Sequence, residues 1–453
     1  MGAPSPRLPL EAGQEGVVAL KYSEASLNAT NVREEYRHSA ASSQSERGAQ
    51  NPKNKSSFNA AARRALGDIR KALDELGLQP NDLVLVAVSG GADSLALAAE
   101  TKRAAHRVGE STRKKGFGIR VGAVIIDHQM QFGSDDAATE AAAQCRTIGL
   151  DPVLVLKVEV GYQGGREAAA RAARYAALEQ AAADLGAKAV LLGHTLDDQA
   201  EQVLLGLARG SGARSLGGMP QQRTMSQHQG VFARPFLNVP RSTTEFLCEW
   251  HRLTPWQDPT NQQPIYLRNR IRNQVMPELK AAIGPGVPEA LARTAEQLAE
   301  DADALDYYAE QLLASAARLD SAIFGHCVPL PQNDDNSSGA PAHKSKGSVP
   351  LPKDGDCPIC HPARESQGPV ALRVESLLEA PVAVRRRALR LAAINAGAPA
   401  SDVNRTQVLA IDALVANWHG QSAHKLPGNI QVSRQYGMLV FEKTQPAKKP
   451  RLS

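Results

Sequence analysis

Residues Leu83 to Val88, with Ser89-Gly90-Gly91-Ala92-Asp93-Ser94 and the alanine-rich run after them, constrain this chain more than any other stretch. The first six residues are uniformly aliphatic. A run that short and that apolar predicts a strand buried on both faces of a parallel sheet. Leu95, Leu97 and their alanine neighbours predict a helix immediately after the glycines. The unit is therefore strand, tight turn, helix. Two adjacent glycines let the backbone approach a ligand and aim successive N–H groups outward. The new helix adds its unpaired N–H groups and the positive end of its dipole. Together these make an anion site suited to a phosphate. The plainer alternative is a glycine turn with a serine or aspartate cap.

Asp93 separates this loop from a simple phosphate cradle, which carries lysine where charge is needed. A carboxylate beside phosphates repels them unless a cation intervenes, and oxygen ligands suit magnesium. Ser-Gly-Gly-x-Asp-Ser resembles the pyrophosphate loop of the N-type ATP pyrophosphatases. Those enzymes cleave ATP between the α and β phosphates.

Further strand–helix units follow. A strand at 120–126 ends in Asp127-His128, and a helix is expected over 134–148. A strand at 152–158 precedes Glu167-Ala-Ala-Ala-Arg171-Ala-Ala-Arg174-Tyr175, whose charged residues share a helical face at steps of three or four. Either a surface ion-pair ladder or a phosphate or substrate site fits that spacing. A strand at 187–193 ends in Gly193-His194-Thr195-Leu196-Asp197-Asp198, with Glu201 one turn on from Asp198. The alternation implies an α/β, doubly wound, mainly parallel sheet. Helix capping accounts for any one of these acids, but not for their recurrence at one sheet edge, where open α/β sheets bind ligands. Arg209-Gly-Ser-Gly and Tyr266-Leu-Arg268-Asn-Arg270-Ile-Arg272 add basic groups suited to a polyanion.

The 453 residues divide, on composition, into a disordered tail (1–57), the α/β domain (58–245) and a helical region (246–327). A disordered Pro/Asn/Ser/Gly-rich insert (328–369), a small α+β C-terminal domain (370–445) and a basic tail (446–453) follow. Five dispersed cysteines argue against a disulfide framework and for a reducing cytoplasm. No apolar run is long enough for a membrane span, and no signal peptide is visible. A net charge of +5 permits nucleic-acid contact without demonstrating it. Cys357-Pro-Ile-Cys360-His361 lies in the insert; its thiolates and imidazole suit zinc, but no second Cys-x-x-Cys accompanies it.

The ordered set of Ser-Gly-Gly-x-Asp-Ser, Asp-His, Glu-Ala-x-x-Arg-x-x-Arg-Tyr, Gly-His-x-x-Asp-Asp-Gln-x-Glu, Arg-Gly-Ser-Gly, Arg-Pro, and Asp-Pro-Thr-Asn with Arg-Asn-Arg-Ile-Arg resembles the bacterial tRNA(Ile)-lysidine synthases from about Leu83 to Leu279. The resemblance implies ATP-dependent attachment of free L-lysine to C2 of the wobble cytidine in a CAU-anticodon isoleucine tRNA, through an adenylated cytidine. It implies that Ser89, Gly90, Gly91, Ala92, Asp93 and Ser94, with Asp127, His128, Gly193 and His194, bind ATP, and that magnesium sits at Asp93. It makes Asp93 and Asp198 the catalytic carboxylates, Asp198 as proton acceptor for the lysine amine or as its orienting group. Glu167, Arg171, Arg174, Asp197, Glu201 and Arg209 would bind substrate. Arg268, Arg270 and Arg272 would contact tRNA, as would Arg385 and Arg386 in an arginine-rich helix that begins near Pro381. The resemblance admits a homodimer and needs no membrane. Gln129-Met130-Gln131 departs from the family's usual glycine and basic residue after Asp-His. Two other readings remain: a tRNA thiolase, which Cys145 and Cys248 are not placed to serve, and a non-catalytic RNA-binding module that keeps the fold.

Overall fold

A computed structural model describes residues 21–22, 52–105, 118–127, 133–158, 166–210, 212–226, 228–258, 263, 265–317 and 370–444. The expected insert at 328–369 with Cys357, Cys360 and His361, the 446–453 tail, His128 and Gln129-Met130-Gln131 lie outside them, as does most of the 1–57 tail. The chain divides into two compact units, 1–299 and 300–453.

The first unit is built on one seven-stranded sheet. Its strands are β1 (Lys21–Tyr22), β2 (Leu83–Val88), β3 (Arg120–Asp127), β4 (Val153–Lys157), β5 (Ala189–Leu192), β6 (Gln222–Thr224) and β7 (Val231–Ala233). They lie in the order β1-β4-β3-β2-β5-β7-β6. The five central strands run parallel, and the edge strands β1 and β6 pair antiparallel. β2 is buried along its whole length, as an aliphatic run between helical layers must be. From β2 the chain winds one way to β3 and β4, then returns to β2's other side with β5. The strand order thus reverses beside β2, where an open α/β sheet leaves a crevice at the carboxyl ends of its strands.

Helices α1 (Pro52–Glu75), α2 (Ala92–Ala105), α3 (Ser134–Ile148), α4 (Arg166–Leu185), α5 (Leu196–Ala208), α6 (Ala213–Leu216) and α7 (Arg241–His251) connect and flank these strands. α1 places Leu66, Ile69 and Leu73 in the core, and it begins at Pro52, inside the span expected as a tail at 1–57. The three-residue strands β6 and β7 had no periodicity to reveal them. Beyond α7, α8 (Leu267–Arg270) runs into a π-helical turn (Ile271–Val275) and α9 (Met276–Ala282), and α10 spans Val287–Ala317.

In the second unit, β8 (Val370–Arg373), β9 (His424–Leu426), β10 (Ile430–Gln435) and β11 (Met438–Lys443) form an antiparallel sheet in the order β8-β11-β10-β9. Helices α11 (Val374–Glu379), α12 (Val382–Asn395) and α13 (Arg405–Ala416) accompany it. Phe441, Leu439, Leu389 and Ile411 are among its fully buried residues.

Candidate active site

The glycine turn folds back onto the first turn of α2. The Ser89 N–H donates to Ser94 Oγ at 3.1 Å, and that hydroxyl donates to the Gly91 carbonyl at 3.0 Å. Gly90 has φ +82°, in the left-handed region that side chains resist. Its carbonyl accepts from the Trp256 N–H at 2.9 Å, tying the segment after α7 to the loop. Gly193, just after β5, presses on the same turn: a Cβ there would lie 3.1 Å from the Asp93 carbonyl carbon and the Ser94 Cα. A cleft of about 750 Å³ opens here, with Ser89, Asp93, Arg174, His194, Arg241 and Arg272 in its wall.

Asp93 lies in the first turn of α2, where a carboxylate complements the dipole. Its Oδ1 accepts the Thr244 hydroxyl at 2.5 Å, and its Oδ2 accepts from Arg241 Nε at 3.4 Å. Burial pushes this carboxyl above the usual range, against the pull of Arg241 and Thr244. Arg241 therefore supplies part of the positive charge that Asp93 requires beside phosphates. For magnesium, the outer edge of Asp93 is the loop carboxylate available. No cluster of three or more metal-binding side chains exists among the described residues. One carboxylate fits a cation that keeps most of its waters and takes its other ligands from phosphate oxygens.

Asp198 and Glu201, one turn apart on α5 and buried, hold three arginines, of which Arg241 and Arg272 line the cleft. Asp198 Oδ1 accepts from Arg241 at 3.1 Å, Arg268 at 3.1 Å and Arg272 at 3.0 Å. Glu201 accepts from Arg268 Nε at 2.9 Å and from Arg272 Nε at 2.7 Å. The other Asp198 oxygen accepts the Thr195 N–H at 2.9 Å, so the residue also closes a capping box on its own helix. Burial works against the Asp198 charge, but Arg241, Arg268, the Thr195 N–H and Arg272 together hold its carboxyl below the usual range. Arg268 and Arg272 are one turn apart on a helix widened by the π turn. Asp197 accepts the Arg241 N–H at 2.8 Å and lies 3.7 Å from Lys280.

His194 lines the cleft with its buried Nδ1 lacking a partner among the described residues. Burial, then the neighbouring Arg174, push it down to about 3, so the imidazole is neutral at physiological pH. Arg174 lines the cleft without an ion pair among the described residues. Gly91, Ala92 and Ser94 line it as well.

Several expected residues stand elsewhere. Arg268 and Arg272 pair with Asp198 and Glu201, and Arg272 lines the cleft; of the three arginines only Arg270 is exposed. Arg385 is buried on Asp412 at 2.7 Å, which corrects its reading as an RNA contact, and Arg386 reaches the same carboxylate at 2.8 Å. Asp127 is buried at the end of β3 and accepts from Ser134 Oγ at 2.8 Å; it is not part of the cleft wall. Arg209 is exposed at the end of α5, and Arg171 is exposed on α4. Glu167 is on α4, but its side chain lies outside the described residues. Sequence reasoning passed over Arg241 and Thr244. The available signal was Arg241 itself, a cation in the first turn of a helix, where the dipole disfavours it unless an acid is near.

The PP-loop domain model matches residues 60–279, and the TilS substrate binding domain model matches residues 372–440. The tRNA(Ile)-lysidine synthase of Streptomyces coelicolor is 43% identical over 81% of this chain and 86% of its own. That of Leifsonia xyli subsp. xyli is 44% identical over 80% and 91%. Among solved structures, the U34-tRNA thiolase NcsA of Methanococcus maripaludis aligns with TM-score 0.44 and 18% identity over 53% of this chain and 80% of that one. No helix among the described residues is long and apolar enough to cross a membrane. With relatives this similar matched over more than four-fifths of their length, the chain belongs to the tRNA(Ile)-lysidine synthase family.

Proposed function

We propose that this enzyme binds ATP at the Ser89–Ser94 loop and joins L-lysine to C2 of the wobble cytidine of a CAU-anticodon tRNA(Ile), forming lysidine in the cytoplasm. The observation that carries the reading is the meeting of that loop with Gly193, His194, Arg174, Arg241 and Arg272 at one cleft, the last two held by Asp198 and Glu201. Family membership supplies the substrate.

In this chemistry the cytidine O2 attacks the α-phosphorus and pyrophosphate leaves. The adenylated O2 is then a good leaving group, the lysine ε-amine attacks C2, and AMP departs. The loop N–H groups and the α2 dipole hold the phosphates. Magnesium, when bound with them at Asp93, supplies further neutralisation of the triphosphate. Asp198 has a role that its surroundings narrow. A carboxylate held in its charged form by three guanidinium groups is a poor proton acceptor. Its environment supports a fixed anion that orients the arginines and the substrate ammonium, rather than a general base. Neutral His194 offers a ring nitrogen to a ligand at any pH near 7.

The test is a single-turnover reaction of the protein with ATP, magnesium, labelled lysine and unmodified tRNA(Ile), with Asp93→Asn alongside. Label entering the tRNA only with ATP and the unaltered loop supports the reading. Conversion of ATP to AMP without lysine in the tRNA would keep the nucleotide chemistry and discard the substrate.

A further inference from the structure

Most of the buried or half-buried arginines have acids to neutralise them. Asp93, Asp198 and Glu201 pair with Arg241, Arg268 and Arg272, and Asp412 and Asp306 pair with Arg385, Arg386 and Arg387. One group has none. Tyr175 of α4 is surrounded by Arg171, one turn earlier on its helix, Arg223 of β6, and Arg234, which follows β7. Arg234 Nη2 and Arg171 Nη2 both donate to the Tyr175 phenol oxygen, at 3.3 and 3.4 Å. The Arg223 guanidinium lies over the Tyr175 ring, 4.6 Å from its centroid, and 5.2 Å from that of Phe232.

The arrangement is held from below by the core. Arg223 pairs with Phe232 across the β6–β7 ladder, and the buried Phe232 ring meets Tyr175 edge-on at 5.0 Å. Arg234 is itself 4% exposed; its Nη1 donates to the Pro220 carbonyl at 2.8 Å, and its buried Nε has no partner among the described residues. Among the described residues none of Arg171, Arg174, Arg223 and Arg234 forms an ion pair. A guanidinium buried beside two others without a counter-ion, as Arg234 is, is unfavourable, and an anion that accepts their hydrogen bonds removes the cost. The phenol oxygen, accepting from two guanidinium groups, marks where acceptors are wanted.

We infer that Arg171, Arg223, Arg234 and Tyr175 form a phosphate-binding site that takes a backbone phosphodiester of the tRNA next to the nucleotide entering the cleft. This rests on the tRNA reading above. The ATP triphosphate has its own cradle at the glycine loop. Arg171 and Arg223 are exposed, whereas Arg174, three residues along the same helix from Arg171, lines the cleft. A strand of nucleic acid held at the exposed end thus has its neighbouring nucleotide directed inward. Planar guanidinium groups suit phosphate oxygens because they donate in pairs.

The experiment is equilibrium binding of unmodified CAU-anticodon tRNA to the full chain across a salt series, for wild type, Arg171→Ala, Arg223→Ala and Arg223→Lys, with ATP binding measured in parallel. Both exposed positions tolerate alanine without loss of core, which thermal melting checks. Each alanine variant is expected to weaken tRNA binding roughly 10-fold or less at low salt and to lower the slope of log K against log salt by about one. Arg223→Lys restores the slope but only part of the affinity, and ATP affinity holds throughout. Weakened ATP binding with unchanged tRNA binding assigns the cluster to the triphosphate and overturns the proposal. No change in either assigns it to structure alone and also overturns it. If the wild type itself fails to prefer this tRNA over an unrelated one, the substrate reading falls first, before any variant is compared.

Discussion

Replacing Asp198 by Asn keeps the shape of the side chain and removes its charge. The amide oxygen can still accept the Thr195 N–H, so the α5 cap survives. The amide nitrogen then faces Arg241, Arg268 and Arg272, which lose a shared acceptor at 3.0–3.1 Å and meet a donor instead. Glu201 continues to hold Arg268 and Arg272. Breaking a buried ion pair from one side costs about 3–5 kcal/mol, and the retained Glu201 contacts put this case at the lower end. For a unit of this size a loss of about 3 kcal/mol lowers Tm by roughly 6–12 °C. The sign with pH follows from the depressed carboxyl. Stability from the charged Asp198 is present above its unfolded value of about 3.9 and is lost as pH falls through its lower folded value. The gap between wild type and Asp198→Asn should therefore be full at pH 7 and should close at strongly acid pH. Thermal unfolding of both proteins at pH 7, 5 and 3 reads it directly. Asp197→Asn is the control: its Lys280 contact at 3.7 Å is partly exposed and should cost under about 1 kcal/mol. A Tm for Asp198→Asn within 2 °C of wild type at pH 7, or a gap that stays constant with pH, would refute the electrostatic account of the ring.

Gly193→Ala places a methyl 3.1 Å from the backbone of Asp93 and Ser94, so it should weaken ATP binding several-fold by displacing the loop; calorimetric titration with ATP measures this. Thr244→Val removes the hydroxyl that Asp93 accepts and should cost about 1–3 kcal/mol in denaturant unfolding. Arg385→Ala removes one of the two guanidinium groups on the buried Asp412 and leaves Arg386 on its other oxygen, so it should destabilise the second unit by about 3 kcal/mol, read as an earlier melting transition. His194 stays neutral until about pH 3 in the fold but titrates near 6.5 when unfolded, so its contribution is intact above pH 6.5 and is lost as pH falls below it. Stability measured at pH 7 and pH 5 should drop by up to about 2 kcal/mol from this residue, and by correspondingly less in His194→Asn.

The fold was legible where burial alone decides secondary structure. Leu83–Val88 has no polar alternative to a central strand, and its carboxyl end had to open on the crevice beside a parallel neighbour. In the second unit, strand-like runs near His424–Leu426, Ile430–Arg434 and Met438–Phe441 could be read from their spacing, and strands stand there at His424–Leu426, Ile430–Gln435 and Met438–Lys443. β6 and β7 were not, because three residues carry no period. Their hydrogen bonds, not their side chains, define them.

The site was legible as a set of positions; the surroundings of each residue were not. Asp93, Gly193, His194, Asp198 and Glu201 do converge, since each sits at or just beyond a strand end of one sheet. What those groups can do is decided by partners 40 to 150 residues away. Arg241 lies 43 residues from Asp198 and 148 from Asp93, and Arg268 and Arg272 lie 70 and 74 residues from Asp198. Asp198 read from its local motif could accept a proton or orient the substrate amine; three guanidinium groups hold its carboxyl below the usual range, which favours the orienting role. The same dependence on distant partners applies to the arginines. Arg268 and Arg272 lie in a basic run and look like RNA contacts, yet their charge is already satisfied. Arg171, Arg223 and Arg234 come from three separate stretches and form no run at all. Among the described residues, one asks which buried cations lack a carboxylate in three dimensions, and Arg234 beside Tyr175 is one of them.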